Sequence, residues 1–83
     1  MIVYLRPPHE GARDYLERAK VEMERVLGFR GSVVSVKAKG KSIIVQVEIN
    51  PAWDIPEKEK TNYLADWIQA KVRKVFEVES IAE

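Results

Sequence analysis

The sequence predicts an α+β domain with the element order strand, helix, strand, strand, helix, strand. Three observations predict it. Apolar residues alternate with period two in some segments and recur at spacings of three and four in others. The two periods take turns along 83 residues, a length that suits one domain. A glycine-containing two-residue step separates the two middle strands. Together these give the ferredoxin-like βαββαβ plan: a four-stranded antiparallel sheet, order 4-1-3-2, with two helices on one face and residues 1–83 in a single domain.

Ile2 to Leu5 is a short β-forming apolar run and reads as a central strand. Pro7-Pro8 stops it, because proline cannot donate to a ladder. A helix follows from about Glu10 to Leu27. Ala12, Leu16, Ala19, Met23, Val26 and Leu27 share one face of it. Glu10 and Asp14 suit its positive end, Arg25 its negative end, and Gly28 a positive-φ stop.

Ser32 to Lys39 alternates, with Val34, Val36 and Ala38 expected on the core side and Val33, Ser35, Lys37 and Lys39 on the other. Ser42 to Ile49 alternates too, with Ile43, Val45, Val47 and Ile49 opposite Ile44, Gln46 and Glu48. A type II′ turn at Gly40-Lys41 then pairs Ala38 with Ile43, Val36 with Val45 and Val34 with Val47. A crossover loop, Asn50 to Pro56, leads to a second helix that starts at Pro56 and runs to about Val75. Its core stripe is Thr61, Leu64, Ile68, Val72 and Val75. Phe76 to Ile81 alternates again and reads as the last strand, at an edge.

Composition narrows the function classes. Fourteen basic residues against thirteen acidic ones leave a net charge of +1, too small to gather nucleic acid or anionic membrane from a distance. The chain has no cysteine, so thiol catalysis, zinc-thiolate sites and disulfides are out. No apolar run approaches the ~20 residues of a membrane span, and the start does not resemble a signal peptide, so the expected setting is the cytoplasm, away from membranes.

Few side chains form a chemical constellation. His9 is the only histidine, and with Glu10 and Asp54 it lacks metal-ligand spacing. No nucleophile is placed beside it, so no catalytic residue, metal or cofactor is expected. Acylphosphatases share this plan and cradle phosphate on a glycine-rich loop after the first strand. Here that stretch is Arg6-Pro7-Pro8-His9-Glu10-Gly11, and its two prolines remove donors that such a nest needs. RNA-recognition domains share the plan as well, and stack bases on aromatics of the first and third strands. The third strand offers Ile44, Gln46 and Glu48 instead, leaving Tyr4 as the one platform residue.

Two surfaces remain. Tyr63, Trp67, Ala70 and Lys74 form a stripe on the second helix, rotated from its core stripe, and Trp53 lies in the loop before it. That group is either a satellite core or a partner surface, since Trp and Tyr are favoured contact residues. The open sheet face offers Ile44, Val33 and Tyr4 within a rim of Lys37, Lys39, Glu48, Glu77 and Glu79. The expected function is therefore non-catalytic: a small protein-interaction or homo-oligomerisation module. Trp53, Tyr63 and Trp67 are its first contact residues, Ile44 and Tyr4 its second. The alternative is a nucleic-acid-binding module that uses Lys37, Lys39 and Lys41 of the basic hairpin with Arg30.

Overall fold

The computed structural model describes residues 1–73 and 75–82. Its elements are β1 (Ile2–Arg6), a 3-10 turn (Ala12–Tyr15), α1 (Leu16–Leu27), β2 (Gly31–Lys39), β3 (Ser42–Ile49), α2 (Glu57–Lys71) and β4 (Glu77–Ala82). The sheet runs β2-β3-β1-β4, antiparallel throughout. This is the expected ferredoxin-like arrangement.

The core lies between the sheet and the helices. Val3 and Leu5 of β1 and Ile43, Val45 and Val47 of β3 meet Ala19, Met23, Val26 and Leu27 of α1 and Leu64 and Ile68 of α2. Val3, Leu5, Ile43 and Val45 are fully buried because β1 and β3 are the two central strands. The β2–β3 turn is as expected. Lys39 pairs with Ser42, Gly40 takes φ 60°, and Lys41 does not share the positive φ, as a type II′ turn requires.

The structure corrects the sequence reading at several points. The register shifts between Val33 and Ser35, so Val33, not Val34, pairs with Val47. Val34 is the extra residue of a bulge and stands 54% exposed, while Val33 packs on the core. The pairs Val36–Val45 and Ala38–Ile43 stand as expected. A second shift, between β1 and β4, pairs Tyr4 with Ser80 and Leu5 with Val78, so Glu79 is an unmatched residue. Val78 and Ile81, three apart, can therefore both reach the core.

Helix limits differ too. The first helical segment starts as the 3-10 turn, after Gly11 at φ 93°, and becomes α-helical only at Leu16. Pro56 precedes α2 in extended backbone (ψ 133°) instead of opening it. α2 ends at Lys71, where Val72 turns extended, so Val75 is 39% exposed and outside the helical stripe. Phe76 is buried just ahead of β4, edge-on to Tyr15 with ring centroids 6.4 Å apart.

Among the described residues two charged side chains are buried. Lys60 is 3% exposed on α2 and donates to the Pro51 carbonyl at 3.0 Å, with Glu57 at 2.9 Å. It holds the crossover loop, which Asn50 also braces by donating from Nδ2 to the Phe29 carbonyl at 2.7 Å. Glu22 is 7% exposed on α1 and accepts from Arg25 and from the main-chain N–H of Arg73. No helix among the described residues is long and apolar enough to cross a membrane.

Candidate functional site

The pleat decides what the open sheet face carries. Val3 and Leu5 point into the core, so Ile2, Tyr4 and Arg6 point away from it. Ile43, Val45 and Val47 do the same for β3, which leaves Ser42, Ile44, Gln46 and Glu48 outside. The ladder aligns these residues in rows. Lys37, Ile44, Tyr4 and Ser80 form one row across all four strands. Ser35, Gln46, Ile2 and Ala82 form the next. On the other side, Lys39 pairs with Ser42 and Arg6 with Glu77.

Tyr4 and Ile44 are thus direct cross-strand partners at the centre of the face, with Ile2 one row away. All three are half-buried. Val33 does not join them, because the bulge turns it to the core. The rim is charged with opposite sign at its two edges: Lys37 and Lys39 on β2, Glu77 and Glu79 on β4. Glu79 reaches over β1. Its carboxylate accepts from Arg6 Nη2 at 3.0 Å and from Ser42 Oγ at 2.5 Å. Among the described residues Lys37, Lys39 and Glu77 make no ion pair.

The aromatic group near α2 is divided. Trp53 and Trp67 are half-buried and pack against the core, whereas Tyr63 is 58% exposed. Trp67 donates from Nε1 to the Val26 carbonyl at 2.7 Å, satisfying one of the last acceptors of α1. The Arg30 guanidinium lies 3.9 Å from the centroid of the Trp67 ring and 4.7 Å from that of Phe29. Lys71 approaches the Trp67 ring at 5.0 Å. Lys74, the end of the expected stripe, lies outside the described residues. Arg30 stacks on these rings away from the basic hairpin, so Lys37, Lys39 and Lys41 are not joined by it.

His9 and Glu10 enter a common cleft of about 930 Å³ with Arg6, Arg13, Asp14 and Lys41, between the β1–α1 loop and the hairpin. Asp54 does not line it. The charged side chains around it are exposed, and the cleft is open to water. No group of three His, Cys, Asp or Glu among the described residues is gathered to hold a metal ion.

Sequence reasoning missed Lys60 and Glu22. Both had a signal: Lys60 is four residues from Leu64, and Glu22 is three from Ala19, which places each beside its helix's apolar stripe. Compared with known proteins, the chain matches no family model and has no significant match among curated proteins or solved structures, so its surfaces alone carry the functional argument.

Proposed function

We propose that the chain is a small self-association module whose open sheet face receives the same face of a second copy. The observation that carries this reading is the Tyr4–Ile44 pair, an apolar centre with Ile2 beside it inside a charged rim. An apolar centre inside a polar rim is the anatomy of a protein–protein contact. The rim is also self-complementary, with lysines at one edge and glutamates at the other. A surface that carries both signs can meet a copy of itself without like charges in contact.

The alternatives on the same molecule are less open. Both sheet edges are bulged, β2 at Val34 and β4 at Glu79, which disfavours edge-to-edge strand pairing. Two of the three aromatics near α2 are occupied with the core. Four strands about 4.8 Å apart and three rows of side chains make a face of roughly 19 by 20 Å. Two such faces bury about 760 Å² in total by this outline, below the ~1,200 Å² at which stable specific contacts begin, so the association is weak and concentration-dependent.

Sedimentation velocity across a micromolar concentration series tests the reading. A reversible monomer–dimer equilibrium is expected, and Ile44→Glu or Tyr4→Glu should abolish it while circular dichroism stays unchanged. A strict monomer at all concentrations rejects the proposal.

A further inference from the structure

The direction of the symmetry axis can be read from the charge order of the sheet. This inference rests on self-association through the open face. Two identical sheets stacked face to face are related by a two-fold axis that lies in the plane between them. Two orientations of that axis keep the strands of the stacked sheets aligned. An axis perpendicular to the strands places β2 on the partner's β2 and β4 on the partner's β4. The row order is then reversed: with the axis on the central row Lys37 meets Lys37 of the other copy, while Lys39 lies over Ser35 and Glu77 over Ala82. An axis parallel to the strands exchanges left and right, so β2 lies over the partner's β4 and β3 over the partner's β1.

We infer that the dimer axis runs parallel to the strands, between β3 and β1. A two-fold rotation has no translation along its axis, so each row of side chains meets the same row of the other copy. Within the central row, Ile44 of one copy then faces Tyr4 of the other, twice per dimer, and Lys37 faces Ser80. On the other side of the central row, continuing the β1–β3 register by one residue sets Arg6 beside Ser42, so Lys39 faces Glu77. Lys39 and Glu77 make no ion pair among the described residues of one chain. They stand at opposite edges of one row, about three strand spacings apart, roughly 14 Å, too far to pair within a copy. The parallel axis brings each to the other across the interface. It therefore pairs Ile44 with Tyr4 and Lys39 with Glu77 in one arrangement, with the two Glu79 carboxylates beside the axis each neutralised by its own Arg6, whereas the perpendicular axis sets Lys37 against Lys37 and gives Lys39 and Glu77 no partner. The ~30° angle usual between stacked twisted sheets leaves these row assignments intact near the axis.

Charge reversal and cross-linking test it together. Lys39→Glu and Glu77→Lys should each raise the dimer dissociation constant about tenfold or more, since each change acts at two places per dimer. The double variant should return to within about threefold of the parent, because both contacts are restored with signs exchanged. Single variants that leave the constant unchanged, or a double variant that stays as weak as the singles, overturn the axis assignment.

The native chain has no cysteine, so introduced thiols report cleanly. Stacked sheets lie ~10 Å apart, so a bis-maleimide of about that span is the suitable cross-linker. Lys37→Cys mixed with Ser80→Cys should give cross-linked heterodimer, and neither should give homodimer when alone. Cross-linking of Lys37→Cys to itself supports the perpendicular axis and overturns the inference. In that case a dimer still exists, so the self-association reading stands. A wild-type chain that never dimerises removes both.

Discussion

Glu22, near the middle of α1, accepts the main-chain N–H of Arg73 at 2.7 Å, just beyond the end of α2. The same carboxylate accepts from Arg25 at 2.8 and 2.9 Å, and Arg25 in turn donates to the Lys71 carbonyl at 3.1 Å. One acidic residue on the first helix therefore fixes the exit of the second. That exit sets where β4 begins, and β4 supplies the acidic edge of the open face.

The clamp makes stability depend on acid. Hydrogen bonding from Arg25, joined by the Arg73 N–H, holds the Glu22 carboxyl below the usual carboxylate range, against burial, which raises it. A lowered value in the folded state means stability that is complete above the unfolded-state value, about 4.3, and is lost as pH falls through the folded value. Glu22→Gln should cost about 1.5–3 kcal/mol at neutral pH, the range for hydrogen bonds to a charged group. Urea unfolding of both proteins at neutral and acid pH checks this. The gap should shrink at acid pH, and a constant gap would count against the clamp.

Trp67 is expected to matter for stability and not for association. Its indole N–H is committed to the Val26 carbonyl, and its ring carries Arg30. Trp67→Phe removes the hydrogen bond and leaves a carbonyl at the end of α1 without that donor, at a cost of about 1 kcal/mol or more. The thermal midpoint should fall while the dimer dissociation constant stays unchanged. A large loss of association with normal stability would instead move the interface to the aromatic flank of α2.

Lys60 carries the crossover loop. Its ammonium is buried, donates to Pro51 and contacts Glu57. Lys60→Met keeps the length and apolar stem but removes the donor, so the Pro51 carbonyl loses its partner. The expected loss is about 1–3 kcal/mol by chemical denaturation. Lys58, exposed two residues earlier on the same helix, is the control, and Lys58→Met should stay within about 0.5 kcal/mol of the parent.

The architecture was legible because the two hydrophobic periods do not overlap, and because Gly40-Lys41 and the alternation of β2 and β3 agree on one register near the turn. Legibility failed where the chain adds a residue without changing its character. Val33 and Val34 are the same residue type, so the pattern cannot say which faces the core once a bulge intervenes. Glu79 hid its bulge in another way, since a glutamate is expected outward in either register. The candidate surface was half visible: Tyr4 and Ile44 were legible as outward positions, but their pairing needed the β1–β3 ladder. Trp67 shared a helical stripe with Tyr63, and only the end of α1 decides that one is engaged and the other exposed.

The bulge at Val34 makes the sharpest test of the observed register. The alternating register predicts that Val34 is core and Val33 is surface. The structure reverses this: Val33 pairs with Val47 and packs on the core, and Val34 is 54% exposed. Val34→Lys should therefore change stability by no more than about 0.5 kcal/mol, as for ordinary surface positions. Val33→Lys forces an ammonium against Val47 and should cost about 2 kcal/mol or more, through lost burial and desolvation of the charge. Thermal denaturation of the two variants side by side gives the answer. Equal effects, or the larger loss at Val34, would show that the strand pairs without the bulge.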